Sequence, residues 1–484
     1  MDEKLIRSVV EDVLSRLQKQ GGGSPQPAAP VPAVRYAPRG GRGGVFASAD
    51  EACTAAAGAY EQLRKIGLAG RERIVQVVKT LCLDKAEEWG RIEFEETRIG
   101  RLEHKIEKLQ GIPRLPGTEW LSPHGMSGDH GITLEENCPF GVIGAVTPVT
   151  HSGPTLACNI VSMVAAGNTV VFNAHPKGAR CAATAVRAFN EAIKREVGIE
   201  NIATIVEEPT VESFNEICAH PAVRLICVTG GPGIVNAAMR SGKRAVCAGP
   251  GNPPVVVDES ADLDQAARDI ILGGAYDNNL LCIGEKEIFV VDKVYKPFLE
   301  AFRRAGAVSL NGAQMERLTE AAFTFTKDAG GCSHPAVNRD LVGADASVLG
   351  EHAGLKVSPK TELLFAETDA DHLFVVEEQM MPMVPVVRAR SIDEAIEMAR
   401  VAEHGYKHSS IIHSLNVRSM TAMARALEST LFIKNGACIA GLGSGGEGYA
   451  SFSVATTTGE GITTPATFTR KRRCVMVDNL AMVS

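Results

Sequence analysis

Between residues 140 and 228, short uninterrupted apolar runs alternate with longer helical segments, an order that few architectures can accept. Phe-Gly-Val-Ile-Gly-Ala-Val-Thr-Pro at 140–148 reads as a buried strand, and a small-residue helix follows at 154–166. Thr-Val-Val-Phe at 169–172 is a second apolar strand, with a helix predicted over 179–196; the alternation resumes at 202–206, 211–218 and 225–228. A strand that is apolar at nearly every position needs cover on both faces, as in a parallel sheet flanked by helices. The expected fold class is therefore α/β.

Outside that stretch the pattern is mixed. Residues 48–107 are helical in period and read as packing helices without chemistry. A strand at 252–257, a helix from about 262 to 275, a strand-like run at 287–291, a capped helix at 391–400 and strands at 410–413 and 431–434 complete the body. The polar segment 128–139 is hairpin-like. Arg470-Lys-Arg-Arg473 reads as a solvated or interface edge.

Two places carry chemistry. Thr229-Gly230-Gly231-Pro232-Gly233 closes a strand and opens a helix, so backbone N–H groups and the positive end of the helix dipole suit a pyrophosphate there. It is not the Gly-x-Gly-x-x-Gly fingerprint. Cys282 lies in Tyr-Asp-Asn-Asn-Leu-Leu-Cys-Ile-Gly-Glu-Lys at 276–286, a polar turn between a helix and a strand. Cysteine attacks as the thiolate and needs donors or positive potential nearby; Asn278, Asn279 and Lys286 are the local candidates. His151, His404, His408 and His413 are single histidines and read as structural.

The 484 residues allow two or three domains with substantial cores, and a net charge of -7 gives no basic field for nucleic acid. The twelve cysteines include no Cys-x-x-Cys pair, so no metal site is expected, and the thiols should be free in a reducing, cytoplasmic-type space. No signal peptide and no membrane-length apolar run is read. Residues 1–20 place Leu5, Ile6, Val9, Val10, Val13, Leu14 and Leu17 on one stripe of a short amphipathic helix, and a Gly/Pro-rich linker follows through 44. Such a helix needs a groove. Its own body, a sister subunit and a partner protein all qualify, and a membrane surface is disfavoured by mixed charge without aromatic anchors.

Asn-Asn-Leu-Leu-Cys282, the 229–233 turn, Glu377-Glu378-Gln-Met-Met-Pro382 and Gly-Leu-Gly-Ser-Gly-Gly-Glu-Gly-Tyr at 441–449 together resemble the CoA-acylating branch of the aldehyde dehydrogenase superfamily. The similarity runs from about residue 45 to the end and is greatest to the propionaldehyde and acetaldehyde dehydrogenases of bacterial microcompartments. It implies a Rossmann-type cofactor domain (45–118 and 141–250), an α/β catalytic domain (251–440) and a β-arm for oligomerisation (119–140 and 465–484), with a homodimer or homotetramer expected. Residues 1–20 resemble encapsulation peptides, which implies docking on a shell or cargo protein inside a microcompartment.

The resemblance also assigns roles. Cys282 becomes the nucleophile, forming a thiohemiacetal and then a thioacyl-enzyme, with its own backbone N–H and the Thr150 hydroxyl facing the alkoxide. Glu378 would hold the nicotinamide ribose. Asn173, His175 and Pro176 would lie by the adenosine ribose; NAD is expected, while the absence there of an acid that would repel a 2'-phosphate, and the nearby Lys177, leave NADP open. Hydrolytic relatives carry a water-activating glutamate where this chain has Ala248. Loss of that base costs water attack roughly 100- to 10,000-fold, so coenzyme A is expected to take the acyl group after NADH leaves. A hydrolytic aldehyde dehydrogenase and a non-catalytic microcompartment scaffold are the alternatives.

Overall fold

A computed structural model describes residues 42–327 and 333–480. The helix at 1–20 and nearly all of the linker lie outside them.

The first layer is a six-stranded parallel sheet. Its spatial order is Val45–Phe46, Ala203–Val206, Thr169–Ala174, Val142–Thr147, Val223–Thr229, Arg244–Ala248. After the short edge strand the chain enters at Val142–Thr147, winds outward one way through Thr169–Ala174 and Ala203–Val206, then crosses back to Val223–Thr229. The reversal leaves a crevice at the carboxyl ends of Val142–Thr147 and Val223–Thr229, where ligands of such sheets bind. Helix Ser152–Ala165 is buried at all fourteen positions. Leu156, Ile160 and Val164 pack into the core, while Ser152, Thr155, Asn159 and Ser162 form a buried polar stripe.

The second layer is a seven-stranded parallel sheet with Pro254–Val257 and Glu287–Val291 side by side near its centre. Helix Leu263–Ala275 and the loop carrying Cys282 connect them. A third, antiparallel sheet joins His124–Gly128, Gly131–Pro139 and Thr469–Val477, the last paired along its whole length. Arg470 to Arg473 lie exposed on that outer strand, with Arg473 Nε donating to Glu135 at 2.9 Å.

The helices before residue 110 do more than pack, contrary to the reading from sequence. Leu102–Gln110 presents Lys105 and Lys108, both buried, to Asp277 in the loop before Cys282. Lys105 Nζ lies 3.2 Å from Asp277 Oδ2 and 3.5 Å from Glu93 Oε1; Lys108 Nζ donates directly to Asp277 Oδ2. The Arg101 amide donates to Asp277 Oδ1 at 2.7 Å, and Arg101 Nε donates to Asn278 Oδ1 at 2.7 Å. Gly100, at φ 76°, has no room for a Cβ against that carboxylate. Burial alone would push the Asp277 carboxyl up, but the two ammonium groups and the Arg101 amide hold it below the usual carboxylate range.

Removing one partner of a buried ion pair leaves the others uncompensated, at a cost of about 3–5 kcal/mol. Asp277→Asn should therefore lower the urea-unfolding free energy by about 3 kcal/mol. A loss under about 1 kcal/mol would mean that the cluster is no tighter than a surface pair.

Candidate active site

Asp277, Asn278 and Asn279 all sit at positive φ, at 49°, 55° and 64°. Three successive left-handed residues are tolerable because Asp and Asn adopt this region more readily than other non-glycine residues, and here each side chain is bonded in place. Asn278 Nδ2 donates to Gly343 O at 2.9 Å and Asp345 Oδ1 at 2.8 Å. Asn279 Nδ2 donates to Gly274 O and Glu285 O, both at 2.8 Å. Lys286 Nζ, fully buried, donates to the carbonyls of Asn279 and Leu281 at 2.8 and 3.2 Å and also to Asn279 Oδ1. The three donors that sequence reasoning offered to the thiol thus spend their hydrogen bonds building the loop; only the Lys286 charge reaches Cys282, through space.

Cys282 is half-buried on the wall of a cavity of about 570 Å³. The same cavity is lined by Thr150 beyond Val142–Thr147, by Thr229, Gly230, Gly231 and Pro232 beyond Val223–Thr229, and by His175 and Glu378. It opens at the crevice where the first sheet reverses, and the second sheet delivers the thiol to it. Asn173, Pro176 and Gly233 are not on its wall. The Asn173 side chain is occupied, donating to Thr210 O at 3.0 Å and accepting from Ser213 Oγ at 2.6 Å. Pro176 opens the single turn Pro176–Gly178, and Gly233 lies inside helix Pro232–Met239.

The local charges are coupled. Burial pushes the Cys282 thiol up to about 12; the Glu378 carboxylate adds to this, and Lys286 opposes it. Burial likewise holds Glu378 up at about 7 against the Lys286 charge and a hydrogen bond from Gly251. Gly251 allows a close approach: a Cβ there would lie 2.7 Å from the Cys282 carbonyl oxygen and 2.8 Å from the His408 ring.

Thr150 is held from two sides. Its carbonyl accepts from Lys105 Nζ at 2.6 Å, and its Oγ1 lies 3.1 Å from His151 Nε2. The other ring nitrogen of His151, Nδ1, is 3.3 Å from Lys108 Nζ. Burial and the two ammonium charges keep the buried imidazole well below its ordinary pKa, hence neutral. Sequence reasoning missed Lys108 and treated His151 as structural. The pairings span 43 residues (Lys108 to His151) and 169 residues (Lys108 to Asp277), beyond any local pattern.

The geometry suits a dinucleotide. Thr229 leads into a helix N-terminus whose first amides have no intrahelical acceptor, and a Cβ on Gly231 or Gly233 would meet nothing within 4 Å. Ala248 ends the neighbouring strand on the cavity wall, so no carboxylate stands there; the carboxylates that line the cavity are Glu107 and Glu378. Among the described residues no group of three or more His, Cys, Asp or Glu is placed to hold a metal ion, and no helix is long and apolar enough to cross a membrane.

Known proteins are similar to this chain along nearly its whole length. The chain is 40% identical to the acetaldehyde dehydrogenase (acetylating) EutE of Salmonella typhimurium over 485 residues, covering 100% of both. A solved propionaldehyde dehydrogenase of Rhodopseudomonas palustris, with bound CoA and an acylated cysteine, superposes with a TM-score of 0.87 at 40% identity, covering 91% of this chain and 100% of that one. A propionaldehyde dehydrogenase from the fucose utilisation bacterial microcompartment of Clostridium phytofermentans gives 0.87 at 41% identity, with 91% and 100% covered. The model of the aldehyde dehydrogenase family matches residues 44–456. With a parallel double-layer fold, a cysteine in the crevice between the layers and this extent of similarity, the chain belongs to the aldehyde dehydrogenase family.

Proposed function

We propose that the protein oxidises a short aliphatic aldehyde, propionaldehyde or acetaldehyde, to its acyl-CoA thioester. The observation that carries this reading is the pairing of Cys282 with Ala248 on one cavity wall: a nucleophile is present and the carboxylate that would activate water is replaced by a methyl group. The acylating activities named for the relatives above support it.

After losing its proton to solvent, Cys282 Sγ adds as the thiolate to the aldehyde carbon, and the resulting alkoxide is met by the Cys282 N–H and the Thr150 hydroxyl. Bound NAD supplies the hydride acceptor. Thr229 to Pro232 and the following amides would hold its pyrophosphate, Glu378 its nicotinamide ribose, and His175 would lie by the adenosine ribose. The thioester left on Cys282 then exchanges with the CoA thiol, releasing acyl-CoA and regenerating the cysteine. Apolar side chains such as Ile283, Ile439 and Phe452 on the wall suit an aliphatic substrate. NAD is the preferred cofactor, with exposed Lys177 leaving NADP open.

The first sheet, within 45–118 and 141–250, serves the cofactors, and 251–440 carries the chemistry. The antiparallel sheet within 119–140 and 465–484 is the assembly arm of a dimer or tetramer: it exposes Val475 and Val477 at 56% and 62%. Residues 1–20 would direct the enzyme into a bacterial microcompartment, by docking on a shell or cargo protein, and a relative from a microcompartment supports that location.

NADH formation from propionaldehyde and NAD should require CoA for steady turnover and vanish in Cys282→Ala. Equal turnover without CoA would overturn the acylating reading and make the enzyme hydrolytic. Because the Glu378 carboxylate raises the thiol pKa, Glu378→Gln should increase the thiolate fraction at neutral pH. Iodoacetamide should then label Cys282 several-fold faster, as followed by mass spectrometry; an unchanged or slower rate would show that the two groups are not coupled.

A further inference from the structure

The hydrogen bonds around Thr150 determine which way its single proton points. An ammonium group has three donors and no acceptor, so at the 3.3 Å contact with Lys108 the His151 Nδ1 must be the acceptor. A neutral ring that accepts at Nδ1 carries its hydrogen on Nε2, 3.1 Å from Thr150 Oγ1, and donates it there. Thr150 Oγ1 is then an acceptor toward His151, and its own O–H remains free to donate into the cavity shared with Cys282. Were Nδ1 to hold the ring hydrogen instead, Nε2 would accept a hydrogen bond from the threonine hydroxyl and turn its O–H away from the cavity. His151 is 6% exposed, so water does not compete for the ring.

We propose that Lys108 and His151 are positioning residues that commit the Thr150 proton to the alkoxide formed on Cys282. The inference rests on the role given to Thr150 under the proposed function. Lys108 is itself fixed by Asp277, while Lys105, on the same carboxylate, holds the Thr150 carbonyl at 2.6 Å. One carboxylate thus sets both the backbone and the hydroxyl of Thr150 while belonging to the loop that carries the thiol. A threonine donates less predictably than an asparagine amide because its hydroxyl rotates; the relay removes that freedom.

A double-mutant cycle on the enzyme with propionaldehyde, NAD and CoA tests this. Thr150→Val should lower kcat by about 100-fold, the scale of one lost oxyanion donor. His151→Leu should lower kcat by about tenfold with little change in the aldehyde KM, and His151→Gln, which keeps a donor near Nε2, should recover most of it. His151→Leu in the Thr150→Val background should cost nothing further, since a residue that acts through the hydroxyl has nothing left to position. Losses that multiply, or an unchanged kcat in His151→Leu, overturn the positioning role alone. An unchanged kcat in Thr150→Val overturns the role of Thr150 and this inference with it. Should a variant fail to fold, 15N spectra of selectively histidine-labelled wild-type protein decide: an acceptor-type Nδ1 with a protonated Nε2 on His151 is expected, and the opposite tautomer refutes the proposal.

Discussion

Asp277 is the group on which the site depends. Its carboxylate is buried with Lys105, Lys108 and Glu93, so two basic and two acidic side chains share a region shielded from solvent. Such a cluster contributes little net stability compared with an apolar substitute, but it fixes geometry, because each charge must remain beside its partners. Here the partners come from helices Ala86–Thr97 and Leu102–Gln110 of the first layer and from the loop of the second. The cluster therefore links the loops that carry Thr150 and Cys282, which extend from different sheets and whose alignment the proposed chemistry requires.

The sheets bring these loops within reach of each other. Reversal of the strand order in the first layer opens a crevice with free helix N-terminal amides on one side and the Thr150 loop on the other. The second layer places Pro254–Val257 and Glu287–Val291 as neighbours, so the connection carrying Cys282 emerges over that crevice. Gly251 then lets the backbone of one connection lie against the carbonyl of Cys282, which no larger residue would permit without displacing the loop.

What was legible in the sequence follows from the range of each interaction. The strands at 140–148, 169–172 and 225–228 could be read because a doubly covered parallel strand is apolar at almost every position, a local signal. The Thr229 to Gly233 turn and Cys282 could be read because turn composition and family motifs are local too. Ala248 was informative as a departure from such a motif. Lys105 and Lys108 were not readable, since on a helix surface they are indistinguishable from solvated lysines until Asp277 is brought beside them. Asn278 and Asn279 were read as donors to the thiol because they are its neighbours in sequence. The left-handed backbone turns their side chains back onto the carbonyls of Gly274, Glu285 and Gly343 and the carboxylate of Asp345.

The charge cluster also bears on how the chemistry could be moved to another scaffold. The irregular run from Tyr276 to Lys286 looks like a portable cassette, short and bounded by a helix and a strand. Transplanted alone, it would carry an anion whose counter-ions lie 169 and 172 residues earlier in the chain, and a left-handed Asn278 whose acceptors, Gly343 and Asp345, stay behind. A working graft would need the two lysines, the glycine that makes room for the carboxylate, and the histidine between Lys108 and Thr150, so the smallest transferable unit is three segments rather than a loop.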